Sequence, residues 1–291
     1  MQKALKNAMP HFLHKGINYH FLTWGDEKNP PLILLHGFAQ SADSWEGVSC
    51  SLSKHRYLMA PDLIGHGRSD KPHNLSVYTM NYICGWLDAF FDHLGFEQID
   101  LCAYSMGGRI ALLYAFEFPQ RLRTLVLESA GLGSQSLQEA HDIQKRDASI
   151  IEKLRTIPLS EFMDEWENLP VFASQKQLAP KLQAALRASR MKNDPQALAL
   201  ITQGSGQHVM PNYLQSMHNL AIPTLYIAGC LDKRYAKIAR TLKAQASAHM
   251  HTRLLQAGHN THLETPKVFA HTVNAFLQDF SFAHGASHTN N

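Results

Sequence analysis

Ala103-Tyr104-Ser105-Met106-Gly107 sets a serine between small residues where the apolar run Ile99 to Ala103 gives way to a helical pattern. A strand that reverses sharply into a helix tolerates only small side chains two positions either side of the turn, and the reversal pushes the serine oxygen out of the sheet edge. Glycine usually opens such an elbow; Ala103 adds one methyl, which the position can hold. A serine nucleophile also needs a base, an acid to orient that base, and N–H donors aimed at developing oxygen charge. Asp232, after Tyr226-Ile227-Ala228-Gly229-Cys230-Leu231, supplies the acid, and His259, closing Gln256-Ala257-Gly258-His259, the base. The donors are expected on the backbone of Met106, just after the serine, and of Phe38, after the His36-Gly37 pair that follows the apolar run Leu32 to Leu35. The plainer alternative, a strand-to-helix turn with an N-cap serine, does not account for the acid and base downstream.

These residues lie far apart in the chain, so a sheet edge must gather them. The order Ser105, Asp232, His259 is that of the α/β-hydrolase superfamily, not of the chymotrypsin or subtilisin groups. Residues 11 to 24 alternate around Lys15-Gly16-Ile17-Asn18 like an antiparallel hairpin. Further strands are expected near 32–35, 57–61, 99–104, 123–128, 223–229 and 252–256, separated by helical stretches. The fold class is therefore α/β: a mostly parallel eight-stranded sheet with helices on both faces. Between about 131 and 215 the strand signal vanishes, and amphipathic segments broken by Pro158, Pro170, Pro180, Pro195 and Pro211 take over. The expected organisation is a core of 1–130 and 216–291 with a helical cap, 131–215, inserted into it. Asp62-Leu63-Ile64-Gly65-His66-Gly67-Arg68-Ser69 lacks the lysine and spacing of a phosphate-binding loop and reads either as a tight surface turn or as a substrate contact.

The composition narrows the class of partner. The chain has 291 residues, 45% of them hydrophobic, enough for one large domain with an insertion. A net charge of +3, with no basic run interleaved with aromatics, argues against nucleic acid. No stretch approaches the length of a membrane span, and Met1 to Pro10 has no apolar signal core. A cytoplasmic enzyme without membrane insertion, monomeric or weakly self-associating, is expected. Cys50, Cys84, Cys102 and Cys230 show no paired spacing and read as reduced thiols. His259 and His262 form a His-x-x-His pair that contains the expected base but lacks a third ligand at a usual spacing, so no metal is expected.

Residues 168 to 193 carry Lys176, Lys181, Arg187, Arg190 and Lys192 without an acid, whereas Glu161 to Glu167 is acidic. Arg187 and Arg190, three apart, share a helical face. That face is either solvated or turned into the cleft, where arginine forks would suit a substrate bearing several carboxylates. Arg109, one helical turn after Ser105, is likewise either a paired surface arginine or a cation beside the nucleophile.

Here the residues resemble a particular family, the 2-succinyl-6-hydroxy-2,4-cyclohexadiene-1-carboxylate synthases of menaquinone biosynthesis. The likeness runs from about residue 17 to 280. It is carried by Tyr104-Ser105-Met106-Gly107-Gly108-Arg109, by Trp166-Glu167 with Leu169-Pro170-Val171-Phe172-Ala173-Ser174, by Leu186-Arg187, by Gly204-Ser205-Gly206-Gln207, and by Ala257-Gly258-His259-Asn260-Thr261-His262. The resemblance implies a lyase on a hydrolase frame that needs no cofactor. It removes pyruvate from a polycarboxylate cyclohexene by abstracting a ring proton next to the succinyl carbonyl. It further implies Ser105 as base assisted by His259 and Asp232, Phe38 and Met106 as oxyanion donors, and Arg109, Arg187, Tyr104, Trp166 and His36 as substrate contacts. Relatives often carry an arginine near position 143, where this chain has Ile143, with Lys145 and Arg146 close by. Glu128, at the end of a core strand, also matches the family, either as an orienting acid or as one satisfied by the cap. A carboxylic-ester or thioester hydrolase using the same triad is the alternative activity, and a non-catalytic binding protein the alternative class.

Overall fold

The computed structural model describes residues 10–245 and 247–280; the expected outer ends of the core, 1–9 and 281–291, lie outside the described residues. The chain opens with β1 (His11–His14) and β2 (Ile17–Trp24), joined through Lys15 and Gly16. Both turn residues have positive φ, 49° and 78°, the requirement of a two-residue hairpin whose twist matches its strands. Then follow β3 (Pro31–Leu35), α1 (Glu46–Leu52), β4 (Tyr57–Pro61), α2 (Met80–His93), β5 (Ile99–Tyr104), α3 (Met106–Glu117) and β6 (Leu122–Glu128). Four helices come next: α4 (Leu137–Thr156), α5 (Leu159–Glu167), α6 (Pro180–Arg190) and α7 (Pro195–Ser205). The chain returns through β7 (Thr224–Gly229), α8 (Lys233–Ala244), β8 (Met250–Leu255), α9 (Thr261–Glu264) and α10 (Pro266–Asp279). The sheet runs β1-β2-β4-β3-β5-β6-β7-β8, antiparallel at β1-β2 and β2-β4 and parallel from β4 onward.

The continuous apolar runs are explained by burial on both faces. Ile33, Leu35, Leu101 and Ala103 enter one core with α2, α3 and α8, while Leu32, Leu34, Cys102 and Val126 enter a second with α1 and α10. Alternate side chains of one strand thus stabilise opposite layers, by about 1.5–3 kcal/mol for each fully buried leucine or isoleucine. A third, smaller cluster joins Leu154, Phe162, Met163 and Leu198 of the inserted helices to Ala39 of the loop after β3. Among the described residues no strand lies between β6 and β7, and no helix is long and apolar enough to cross a membrane. The four cysteines are free.

Asp62-to-Ser69 is not the surface turn it resembles in sequence. Asp62 is fully buried and accepts from His20 Nδ1 (2.9 Å), Ala42 N (2.6 Å) and Arg68 N (2.9 Å), tying β2, the segment before α1 and the loop together. At the other end of the sheet, Gly229 closes β7 with its backbone against the carbonyls of Ala257 and Gly258, just before His259. A Cβ at Gly229 would drive into both oxygens, so Gly229→Ala is expected to cost at least the ~1–3 kcal/mol typical of overpacking. Urea denaturation midpoints check this; an unchanged midpoint would show that the strand end yields freely.

Candidate active site

Ser105 stands between β5 and α3 with φ 50° and ψ −105°, a conformation that costs a non-glycine residue about 1–3 kcal/mol and persists only where its surroundings over-determine it. They do so here through backbone bonds on both sides: Ser105 N donates to Glu128 O (2.8 Å), and Arg109 N donates to Ser105 O (3.1 Å). The small residues of the elbow are also required by contact. A Cβ on Gly107 would fall 2.6 Å from the His36 carbonyl and 2.7 Å from that of Leu35, so α3 seats directly on the end of β3. Ala103 is accommodated, fully buried.

Ser105 Oγ lies 3.0 Å from His259 Nε2, and His259 Nδ1 lies 2.7 Å from Asp232 Oδ2. The carboxylate fixes the tautomer: Nδ1 donates to Asp232, leaving Nε2 to accept the serine proton. Asp232 also caps α8 through Tyr235 N (3.3 Å), and Asp232 and His259 are both buried, at 7% and 5% exposure. Met106 is the first residue of α3, where a backbone N–H has no intrahelical acceptor and the helix dipole is positive. Phe38 lies in the loop after β3, and its ring packs 4.9 Å from that of Trp166. Trp166 in turn meets Phe162 (5.9 Å) and Phe172 (5.7 Å), and Phe172 reaches the His259 ring (5.8 Å), so the inserted helices close an aromatic roof over the serine.

Phe38, Met106 and Arg109 share a cavity of about 50 Å³ with Asp147, Thr202 and Gln207. Arg109 donates from Nη2 to Ser205 O (3.3 Å), and its Nε is buried with no partner. Burial works against its charge, opposed by Tyr235 and Asp147. A larger cavity, about 420 Å³, opens between α6 and α1. No triad residue lines either cavity, but Phe38 and Met106, on whose backbones the expected N–H donors lie, line only the smaller one, which also holds Arg109, so the smaller one is the better candidate for the site.

Three expected substrate contacts fall elsewhere than anticipated. His36 is fully buried; Nδ1 donates to Gly37 O (2.8 Å) and Nε2 accepts from Leu63 N (3.0 Å), so it braces the loop that carries Phe38 and has no nitrogen left for a ligand. Burial holds it neutral despite nearby Asp62, and burial with His36 beside it pushes His66 down to about 3. Tyr104 is 3% exposed, its ring between His259 (5.4 Å) and His262 (5.1 Å). Arg187 is occupied by Asp164 (2.7 Å), Glu167 (3.3 Å) and Ser160 O (2.8 Å): the arginines of the basic stretch pair with the acidic run before it, while Lys176, Lys181 and Lys192 are exposed. Its neighbour Arg190 is the buried one, bonded to Glu167 and Gln175 and 5.5 Å above the Phe172 ring.

Sequence reasoning missed Tyr235, whose ring lies 4.7 Å from His259, and Asp147. Ile143 is buried in α4, Lys145 is exposed, and Arg146 turns onto buried Asp147, which also takes His208 N (3.1 Å) and Nδ1 (3.0 Å). The spacing carried the signal: Asp147 follows Ile143 by one helical turn and so shares its inward face. Glu128 is not satisfied by the cap; it bonds Thr261 and His262, just past the base.

The sheet order and its flanking helices define a protein of the α/β-hydrolase fold, and the family model of that description matches residues 30–266. A Salmonella typhimurium protein named 2-succinyl-6-hydroxy-2,4-cyclohexadiene-1-carboxylate synthase is 30% identical over 242 residues, 83% of this chain and 91% of that protein. A Bacillus subtilis relative bearing the same name provisionally is 31% identical over 262 residues, 90% of this chain and 95% of that one. The structure of MenH from S. aureus matches with a TM-score of 0.84 at 27% identity, covering 90% of this chain and 98% of that chain. The enol-lactonase from Burkholderia xenovorans, at 21% identity and a TM-score of 0.79, shares the fold. The chain belongs to the 2-succinyl-6-hydroxy-2,4-cyclohexadiene-1-carboxylate synthase family.

Asp147 carries a pH dependence. Burial alone pushes its carboxyl up, but Arg146 and His208 outweigh burial and hold it below the ordinary value of 3.8. A depressed folded pKa contributes stability above the unfolded value and loses it as pH falls through the folded one. Asp147→Asn is therefore expected to lower stability at pH 7 by about 1–3 kcal/mol and to shrink the loss on acidification below 3.8. Urea midpoints at pH 7 and pH 3 for both proteins read this, and an unchanged acid loss would remove Asp147 from the account.

Proposed function

We propose that this protein is the lyase of menaquinone biosynthesis that eliminates pyruvate from 2-succinyl-5-enolpyruvyl-6-hydroxy-3-cyclohexene-1-carboxylate, giving 2-succinyl-6-hydroxy-2,4-cyclohexadiene-1-carboxylate. The observation that carries the proposal is a Ser105–His259–Asp232 relay, with bonds of 3.0 and 2.7 Å, in a chain 30% identical to a protein named for that product.

His259 takes the Ser105 proton, and the resulting alkoxide removes the ring proton next to the succinyl carbonyl. The electron pair moves onto the carbonyl oxygen, where the N–H groups of Phe38 and Met106 meet the developing charge; one such donor is typically worth ~3 kcal/mol of barrier. As the carbonyl re-forms, the ring double bond shifts and the bond to the enolpyruvyl oxygen breaks. The imidazolium proton passes to the leaving enolate, which tautomerises to pyruvate, so no water is consumed and no acyl-enzyme forms.

Arg109, with an unpartnered buried Nε beside the oxyanion donors, is the first ligand for a substrate carboxylate. Trp166 and Phe38 cover the ring. A cavity of about 50 Å³ is far below the several hundred needed for a ligand of this size, so residues 131–215 act as a cap that lifts before substrate enters. Arg187 then exchanges its exposed partner Asp164 for a second carboxylate, a swap of low cost because such pairs are worth about 0–1 kcal/mol.

Ser105→Ala is expected to lower kcat on the order of 10³–10⁴-fold with little change in KM. Pyruvate release and the absorbance of the conjugated diene measure it; rapid nitrophenyl-ester turnover with no diene would instead make the protein a hydrolase. Arg109→Ala is expected to raise KM roughly 10-fold or more, the loss of one charge-assisted bond. An unaltered KM would place the carboxylates elsewhere.

A further inference from the structure

Glu128 ends β6 beneath the site, fully buried, and no step of the reaction uses it. Its backbone carbonyl accepts from Ser105 N at 2.8 Å, the bond that helps hold the serine in its strained turn. Its carboxylate bonds a different segment, the one that follows His259. Oε1 accepts from Thr261 Oγ1 (2.7 Å) and His262 N (3.0 Å), and Oε2 accepts from His262 Nδ1 (2.6 Å). These donors stand two and three residues after His259. One residue therefore grips the nucleophile's turn with its main chain and the base's loop with its side chain.

The loop has two such anchors. Glu264 takes Gly258 N (2.6 Å) and Asn260 N (3.3 Å), but it belongs to the same segment and ties the loop only to itself. Glu128 ties it to the strand next to Ser105 in the sheet. Through His262 the grip extends further: that ring stacks on Trp45 (4.1 Å) and meets Tyr104 edge-on (5.1 Å), and Tyr104 packs against His259 (5.4 Å). With every donor around it taken, Glu128 is not a spare base, and His262 Nε2 is buried with no partner, so the pair does no proton transfer of its own.

We infer that Glu128 is a positioning residue that sets the Ser105–His259 distance by coupling the elbow to the His259 loop through Thr261 and His262. The geometry makes the charge essential. A glutamine keeps the shape and can still accept from Thr261 and His262 N, but its NH₂ faces His262 Nδ1–H, donor against donor. Relief requires moving the imidazole proton to Nε2, where nothing accepts it. The loop then shifts, and a shift of an ångström is enough to slow a reaction that depends on alignment.

The inference rests on Ser105 and His259 acting together as in the proposed lyase, and its test separates the two. The rate at which a fluorophosphonate labels Ser105 reports the serine–imidazole pair whatever the natural substrate, while pyruvate release reports the lyase. Glu128→Gln is expected to slow labelling and kcat in parallel by on the order of 10-fold with KM nearly unchanged, and to shift or broaden the proton resonance of the His259–Asp232 bond. Labelling at the wild-type rate with that resonance unmoved overturns the inference, even where pyruvate release falls. Wild-type protein that labels well but releases no pyruvate refutes the lyase and leaves the positioning role standing. If Glu128→Gln does not fold, Thr261→Val, which removes one donor and keeps the shape, is expected to slow labelling severalfold at an unaltered melting temperature; an unslowed rate overturns the inference equally.

Discussion

The site depends on main-chain segments packed so closely that no side chain can intervene. α3 lies on the end of β3 at Gly107, and the end of β7 lies on the His259 loop at Gly229. Above them Gly258 admits the Ser174 side chain of the cap segment with no room for a methyl. Backbone geometry at these points is stiffer than rotamers, so the serine, the base and the cap are registered to one another before any catalytic side chain is placed. The strained φ of Ser105 follows from that registration. The fold tolerates the strain because hydrogen bonds on either side of Ser105 would be lost if it relaxed.

Charge is arranged on a second principle. A polycarboxylate ligand calls for cations, yet the structure surrounds most of its arginines with acids: Arg146 with Asp147, Arg187 with Asp164 and Glu167, Arg190 with Glu167. Arg109 differs, because carbonyl contact leaves its charge uncompensated at close range. The exposed pairs are cheap to exchange, whereas the buried Arg190 pair is not, since removing one partner strands the other in a poor solvent. Arg190 thus serves the cap's own architecture, holding Gln175 and Phe172 over His259, and Arg187, half-exposed a turn away, keeps the mobility a ligand contact needs.

Much of this was legible in the sequence because it was local or periodic. The elbow, the hairpin turn at Lys15-Gly16, and apolar strands alternating with helices each follow from a rule spanning one or two elements, and the order of serine, acid and histidine fixed how the elements meet. What failed to show was long-range pairing. Glu128 and His262 are 134 residues apart, and nothing near either names the other. His36 was visible as part of an oxyanion loop, but the direction of its imidazole is decided by Leu63, on a segment that crosses from β4. The acidic run before 168 and the basic run after it were each plain; that Arg187 and Arg190 pair with Asp164 and Glu167 required the turn between α5 and α6.

The same architecture explains how a hydrolase triad serves an elimination. Hydrolysis requires a water held against the acyl-enzyme, whereas elimination requires only that a proton leave carbon and another reach the departing oxygen. The roof of Phe38, Trp166 and Phe172, with rings 4.9 and 5.7 Å apart, leaves the neighbouring cavity space for only a few waters. In the proposed mechanism, excluding water would strengthen the pull of the Phe38 and Met106 N–H groups on an enolate oxygen, because the field of a dipole grows as the local dielectric falls. The proposed oxyanion donors would need no alteration, since an enolate and a tetrahedral intermediate place their charge on an oxygen in the same spot. On the proposed lyase reading, what would separate the two reactions on this frame is the access of water to Ser105, which Phe38 of the loop after β3 and Trp166 and Phe172 of the inserted segment would restrict once substrate is bound.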